Sequence, residues 1–174
     1  MFKKLFFDKL FGIWKYRKIN LYVVEDMVYY AKLVQLNLEK NGFEKIKLYH
    51  TGEDVITALK DETPDCIILD HKLSEKGLNG GDVLNYVIVN NLPTNVIILS
   101  GQIDVEVAAA MMKQGAYDYI IKNDMSLFNL KNTLTRLEDS INEKEKSKSR
   151  DKKIRILYFI LLILLWIIAL AFIF

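Results

Sequence analysis

Between residues 19 and 141 the chain alternates five times between a short run of β-branched and aromatic residues and a longer stretch with helical spacing of its apolar positions. The short runs fall at 20–24, 45–49, 66–69, 96–99 and 117–121. The helical stretches fall at 27–41, 53–61, 81–91 and 105–114, with a fifth from about residue 126. Unbroken apolar runs such as Cys66-Ile67-Ile68-Leu69 are what parallel strands covered on both faces require. Five βα units in succession predict an α/β domain with a doubly wound, five-stranded parallel sheet. Gly42 and Gly115 stand where helix-ending glycines belong. In such a sheet the ligand site lies beyond the carboxyl ends of the strands, which fixes where chemistry is to be sought.

The rest of the sequence divides around this domain. Residues 156–174 are an uncharged, almost wholly apolar run. At about 1.5 Å of rise per residue, a helix over it matches the ~30 Å core of a bilayer, so a transmembrane helix is expected over 154–174. Seven Lys or Arg lie in 142–155, and that basic flank places the side facing the domain on the cytoplasmic face of the inner membrane. Residues 142–153 hold no Pro or Gly and read as a charged linker or a helix extension. Residues 1–18 carry +5 and place Phe2, Leu5, Phe6, Leu10, Ile13 and Trp14 three and four apart. This spacing predicts an amphipathic basic helix at the membrane surface, with membrane lipids as its partner. With 142–155 at +4 and a total of +2, residues 19–141 carry −7. The alkaline pI of about 8.5 therefore comes from membrane-flanking segments and does not indicate a nucleic-acid partner. Cys66 is the only cysteine, so no intramolecular disulfide is available; it reads as a small buried thiol in a cytoplasmic setting.

The strand ends collect unlike groups on one rim. The first strand runs into Glu25 and Asp26, the third into Asp70, the fourth into Ser100 and Gly101, and the fifth into Lys122. Clustered carboxylates repel one another unless a hard divalent cation sits among them, and oxygen ligands suit Mg²⁺. Beside such a metal Asp70 becomes an aligned nucleophile for a phosphoryl group. Lys122 offers a point charge and Ser100 a hydroxyl to phosphoryl oxygens, and Gly101 leaves room for the donor.

The motifs Val24-Glu25-Asp26, Ile68-Leu69-Asp70, Ile98-Leu99-Ser100-Gly101 and Gly115-Ala116-Tyr117-Asp118-Tyr119-Ile120-Ile121-Lys122 occur in an order and spacing that resembles the receiver domains of two-component response regulators, over about residues 19–141. The resemblance implies a flavodoxin-like receiver fold. It implies that Asp70 accepts a phosphoryl group from a histidine kinase or a histidine phosphotransfer protein. Glu25, Asp26, Asp70 and the Lys72 backbone carbonyl would hold Mg²⁺. Ser100 and Lys122 would bind the phosphoryl group, and Tyr119 would be the aromatic that changes rotamer with Ser100. The implied role is signalling rather than enzymatic, with only Mg²⁺-dependent self-phosphorylation and self-dephosphorylation.

Three positions depart from the family pattern. Ser74 and Asn123 stand where prolines are frequent, and Lys72 is unusual two residues after the acceptor; the loop 75–80 is also about two residues longer than is common. Without proline a cis bond before Asn123 would cost about 3–4 kcal/mol, so trans is expected. A haloacid-dehalogenase-type phosphatase would need an Asp where Lys72 stands. No G-x-x-x-x-G-K-[ST] loop supports nucleotide binding. His50 and His71 have no zinc-site spacing with Cys66. The rival that survives is a receiver-fold binding module independent of phosphorylation. No second folded domain is expected, so output would run through protein contacts, with a membrane protein as one target class, or through phosphoryl relay. Leu127, Leu130, Leu134, Leu137 and Ile141 also offer a heptad stripe for a homodimer through the 127–141 helix.

Overall fold

A computed structural model of the chain describes residues 18–73, 77–101 and 104–171, with side chains through Ile163. Strands β1 (Leu21–Val24), β2 (Ile46–Tyr49), β3 (Cys66–Asp70), β4 (Asn95–Ser100) and β5 (Asp118–Ile121) alternate with helices α1 (Val28–Lys40), α2 (Gly52–Leu59), α3 (Gly80–Val89), α4 (Val105–Gln114) and α5 (Ser126–Ala171). The strands form one parallel sheet in the order β2-β1-β3-β4-β5. The predicted doubly wound sheet is the one observed. Strand order reverses at β1 and β3, and this switch point is where an open sheet leaves a crevice beyond its strand ends.

Every residue of β1 and β3 is buried, as the unbroken apolar runs require. On one face Val24, Ile67, Leu69 and Ile98 join Val55 and Leu59 of α2 and Val83, Leu84 and Val87 of α3 in a single core. Side chains alternate across a strand, so Val23, Ile68, Ile97 and Leu99 point the other way, and they too are buried. Ala31, Val34 and Leu38 form the buried stripe of α1 at helical spacing. Gly115 ends α4 at φ 115°, and Gly42 follows α1 at φ 89°; both lie in the left-handed region that glycine enters without strain.

Boundaries move from the predicted ones for local reasons. β3 extends one residue to Asp70, which pairs with Leu99. α3 starts at Gly80 because Asn79 caps it: the Asn79 side chain accepts from the Asp82 N–H and the Asp82 carboxylate from the Asn79 N–H. No cis peptide bond occurs among the described residues, so the bond before Asn123 is trans as expected.

The chain divides after Thr133 into two units. Leu130, one of the five positions of the predicted dimer stripe, is fully buried in the single chain. The segment 142–153 lies inside the 46 residues of α5, which resolves the choice between linker and helix in favour of helix. Its composition explains this: Glu143 and Lys146, Glu145 and Lys148, and Asp151 and Arg155 sit three or four apart among good helix formers. Further along, Ile154, Leu157 and Phe159 are about two-thirds exposed. Among the described residues no helix is long and apolar enough to cross a membrane. Of the span expected over 154–174, residues 164–174 lie outside the described side chains, and the surface helix expected over 1–18 lies outside the described residues except for Lys18.

Candidate functional site

The β1, β3 and β5 ends bring Glu25, Asp26, Asp70 and Lys122 together, with Ser100 at the neighbouring end of β4. Glu25 continues the β1 ladder, donating its N–H to the Tyr49 carbonyl at 3.0 Å, and so its side chain is drawn inside; it is 2% exposed. Asp26, one step further, is exposed. Asp70, paired within the sheet, is buried. Lys122 follows β5 and stays tied to β4, its N–H donating to the Ser100 carbonyl at 2.7 Å. From there its ammonium reaches back across the sheet and donates to Glu25 Oε2 at 2.6 Å and to Asp70 Oδ2 at 2.7 Å. The other Asp70 oxygen, Oδ1, accepts from the Lys72 N–H at 3.1 Å. The Lys72 side chain is exposed.

Glu25 Oε1 is buried and has no hydrogen-bond partner among the described residues. One oxygen each of Glu25, Asp26 and Asp70 lies within 4.8 Å of the others. A buried carboxylate with an orphaned oxygen, clustered with two more carboxylates, is the environment a small divalent cation satisfies, so the residues fit Mg²⁺.

Burial pushes the Glu25 carboxyl up to about 7; the Lys122 hydrogen bond opposes the rise and the charge of Asp70 adds to it. Burial acts on Lys122 in the opposite sense, lowering its proton affinity. The hydrogen bonds it donates to Asp70 and Glu25, with their charges, outweigh that and carry it above the ordinary lysine value. The two shifts favour opposite outcomes for one ion pair. The ammonium, held by two carboxylates, keeps its charge at neutral pH, and Glu25 is the member that takes up a proton.

Ser100 is buried at the end of β4. Gly101 is exposed, and a Cβ added there would meet nothing within 4 Å, which agrees with open space beyond the strand end. Tyr119 is half-buried, its hydroxyl enclosed and without a hydrogen-bond partner among the described residues.

Further residues at the site carried no sequence signal that singled them out. The Tyr30 ring lies over the Lys122 ammonium at 4.5 Å from its centroid. The His50 Nδ1–H donates to the Glu25 carbonyl at 2.9 Å. Glu53 accepts from the Leu78 N–H at 2.9 Å and so ties α2 to the loop after the acceptor. At Gly80 an added Cβ would collide with the Asp70 carbonyl oxygen and lie 2.9 Å from His71 Cα, so α3 can start this close to the acceptor only with glycine. The loop residues 74–76, which include Ser74, lie outside the described residues.

The family model for the response regulator receiver domain matches residues 21–134. The chain is 32% identical over 100 residues to the regulatory protein LuxO of Vibrio vulnificus, covering 58% of this chain and 21% of that protein. It is 28% identical over 105 residues to the transcriptional regulatory protein ZraR of Salmonella typhimurium, covering 60% of this chain and 23% of that protein. The chain thus spans less than a quarter of these relatives' length. The signal receiver domain of a protein described as a LuxO repressor, from Vibrio parahaemolyticus, superposes with a TM-score of 0.67 at 27% identity, covering 74% of this chain and 95% of that one. Receiver domains are signalling modules that bind Mg²⁺ at an acidic pocket, which Glu25, Asp26 and Asp70 provide here, and that interact with histidine kinases or phosphotransfer proteins. By sequence, sheet order and the placing of its acidic pocket, the chain belongs to the response regulator receiver family.

Proposed function

We propose that Asp70 accepts a phosphoryl group from a phosphohistidine donor, and that the chain signals through protein contacts. The observation that carries this reading is the convergence on the Asp70 carboxylate of the Lys122 ammonium and the Glu25 and Asp26 carboxylates. A carboxylate oxygen of Asp70 attacks phosphorus, the bond from phosphorus to the donor nitrogen breaks, and the imidazole leaves with its electron pair and takes a proton. Bound Mg²⁺, held by Glu25, Asp26, Asp70 and the Lys72 carbonyl, would screen the charge between the carboxylate and the phosphoryl oxygens. Lys122 already touches Asp70 and needs only a small movement to pair with a phosphoryl oxygen. The new group brings roughly −1.5 to −2 charges. Ser100 turns its hydroxyl toward that charge, and Tyr119, whose buried hydroxyl lacks a partner among the described residues, follows into the space released.

The same reading tethers the domain to the cytoplasmic face of a membrane through the apolar segment 154–174. Support comes from the uncharged run in the sequence, its seven-cation flank, and the exposure of Ile154, Leu157 and Phe159. Kinases supplied with ATP lie on that side. The test is labelling of the full chain, in mild detergent with Mg²⁺, by a small phosphodonor. Wild type forms an acid-stable, base-labile acyl phosphate, and Asp70→Asn abolishes it. Labelling that persists in the variant overturns the assignment. Its absence in wild type supports a binding module independent of phosphorylation.

A further inference from the structure

The Lys122 ammonium has three N–H groups, and two carboxylates on one side of it account for two contacts. On its remaining side lies the face of Tyr30, 4.5 Å from ammonium to ring centroid, inside the range of cation–π attraction. Only 16% of the lysine side chain is exposed, so the ring stands where water would otherwise complete the cation's shell. Tyr30 is itself fixed from two directions. Its backbone belongs to the first turn of α1, directly before the buried Ala31. Its hydroxyl lies 3.4 Å from the Oγ of Ser126, a buried residue that opens α5.

We propose that Tyr30 is a positioning residue for Lys122, its ring holding the ammonium between Glu25 and Asp70 and closing the cavity to water on the α1 side. The proposal rests on the reading that Lys122 serves the acceptor. A lysine side chain brings about 2 kcal/mol of rotamer entropy, and a cation held on one side only can swing out into solvent. An aliphatic side chain at position 30 would fill the volume without presenting the negative π face. The third N–H would then face a surface that offers it nothing. Of the two functions of the tyrosine side chain, hydroxyl and ring face, the ring face is the one the ammonium uses, so phenylalanine suffices for it.

The test follows the lysine itself, in the full chain in mild detergent, using the rate at which Lys122 is acylated by an amine-reactive ester at one fixed pH. Tyr30→Phe keeps the ring, and Lys122 labelling stays within about twofold of wild type. Tyr30→Leu and Tyr30→Met remove it, and labelling rises roughly fivefold or more in whichever of the two retains the wild-type circular-dichroism spectrum. With a small phosphodonor the same variants lose maximal phosphorylation rate while the half-saturating donor concentration holds; Tyr30→Phe restores the rate. Wild-type labelling of Lys122 in both folded aliphatic variants overturns the proposal, as does a Tyr30→Phe variant that behaves like them. If neither aliphatic variant folds, Tyr30→Phe decides alone: loss of Lys122 protection there refutes the ring's role. Failure of wild type to phosphorylate would refute the acceptor reading, and the acylation rates would still decide what Tyr30 does.

Discussion

Replacing Glu25 by glutamine keeps the side chain's shape and removes its charge, and the structure sets both the sign and the size of the result. Glu25 is 2% exposed, and its carboxyl is raised from 4.5 to about 7, chiefly by burial. A carboxyl that holds its proton more tightly folded than unfolded favours the folded state below its unfolded value. That contribution is lost as pH rises from 4.5 through 7, because the unfolded chain ionises first. The span between these values corresponds to an upper figure of about 3 kcal/mol. Glutamine has no such loss. Without metal, Glu25→Gln therefore gains on wild type as pH rises from about 4.5 to about 8, by up to ~3 kcal/mol, or about 10 °C for a domain of this size. Mg²⁺ reverses the trend, since it binds the ionised carboxylates: at a hundred times its dissociation constant it adds about 2.7 kcal/mol to wild type and less to the variant. Thermal melts of both proteins across this pH range, with EDTA and with Mg²⁺, give all four curves. A gap that stays flat with pH, or that moves in favour of wild type without metal, refutes the reasoning.

Other positions give simpler outcomes. Asp26→Ala lowers Mg²⁺ affinity roughly tenfold or more by titration calorimetry, since it removes one of three charged oxygens from the cluster. Gly80→Ala places a Cβ against the Asp70 carbonyl; denaturant titration shows a loss of about 1–3 kcal/mol, and phosphorylation slows with it. Leu69→Ala empties a fully buried site between α2 and α3 and costs about 2–5 kcal/mol by the same method. The proposed tether predicts that the full chain resists carbonate extraction and that a chain ended after Lys153 is extracted by high salt; carbonate release of the full chain would contradict it.

Much of the fold was legible because burial on both faces of a parallel sheet writes itself as unbroken apolar runs. Cys66 to Leu69 shows this most clearly, and Gly115 marked the end of α4 because few other residues accept its φ. The rim groups were legible for a related reason: Glu25, Asp70, Ser100 and Lys122 are each the first polar residue after an apolar run, and Asp26 follows Glu25 directly. What escaped depends on contacts between segments far apart in sequence. Tyr30 reads as one more aromatic on α1 until Lys122, 92 positions later, places its ammonium beneath it. His50 likewise acquires meaning only where β2 lies beside β1. The Asn79–Asp82 capping box was local and could have been read, which would have started α3 one residue earlier. The Lys72 N–H on Asp70 Oδ1 also went unread; it is a separate contact from the Mg²⁺ role that the resemblance implies for the Lys72 carbonyl. The unbroken helix through 142–153 had balanced local cues, with solvated charge arguing for a linker and charge spacing for a helix.

The proposed phosphorylation falls on one carboxylate, at the end of β3. Borohydride reduction tests it most directly, because it converts an aspartyl phosphate to homoserine and leaves free carboxylates alone. The full chain would be treated with a small phosphodonor and Mg²⁺, reduced, digested and sequenced by mass spectrometry. Homoserine at position 70, absent when either Mg²⁺ or the donor is omitted, is the predicted result; homoserine at Asp26 or Asp124, or none at all, would contradict it.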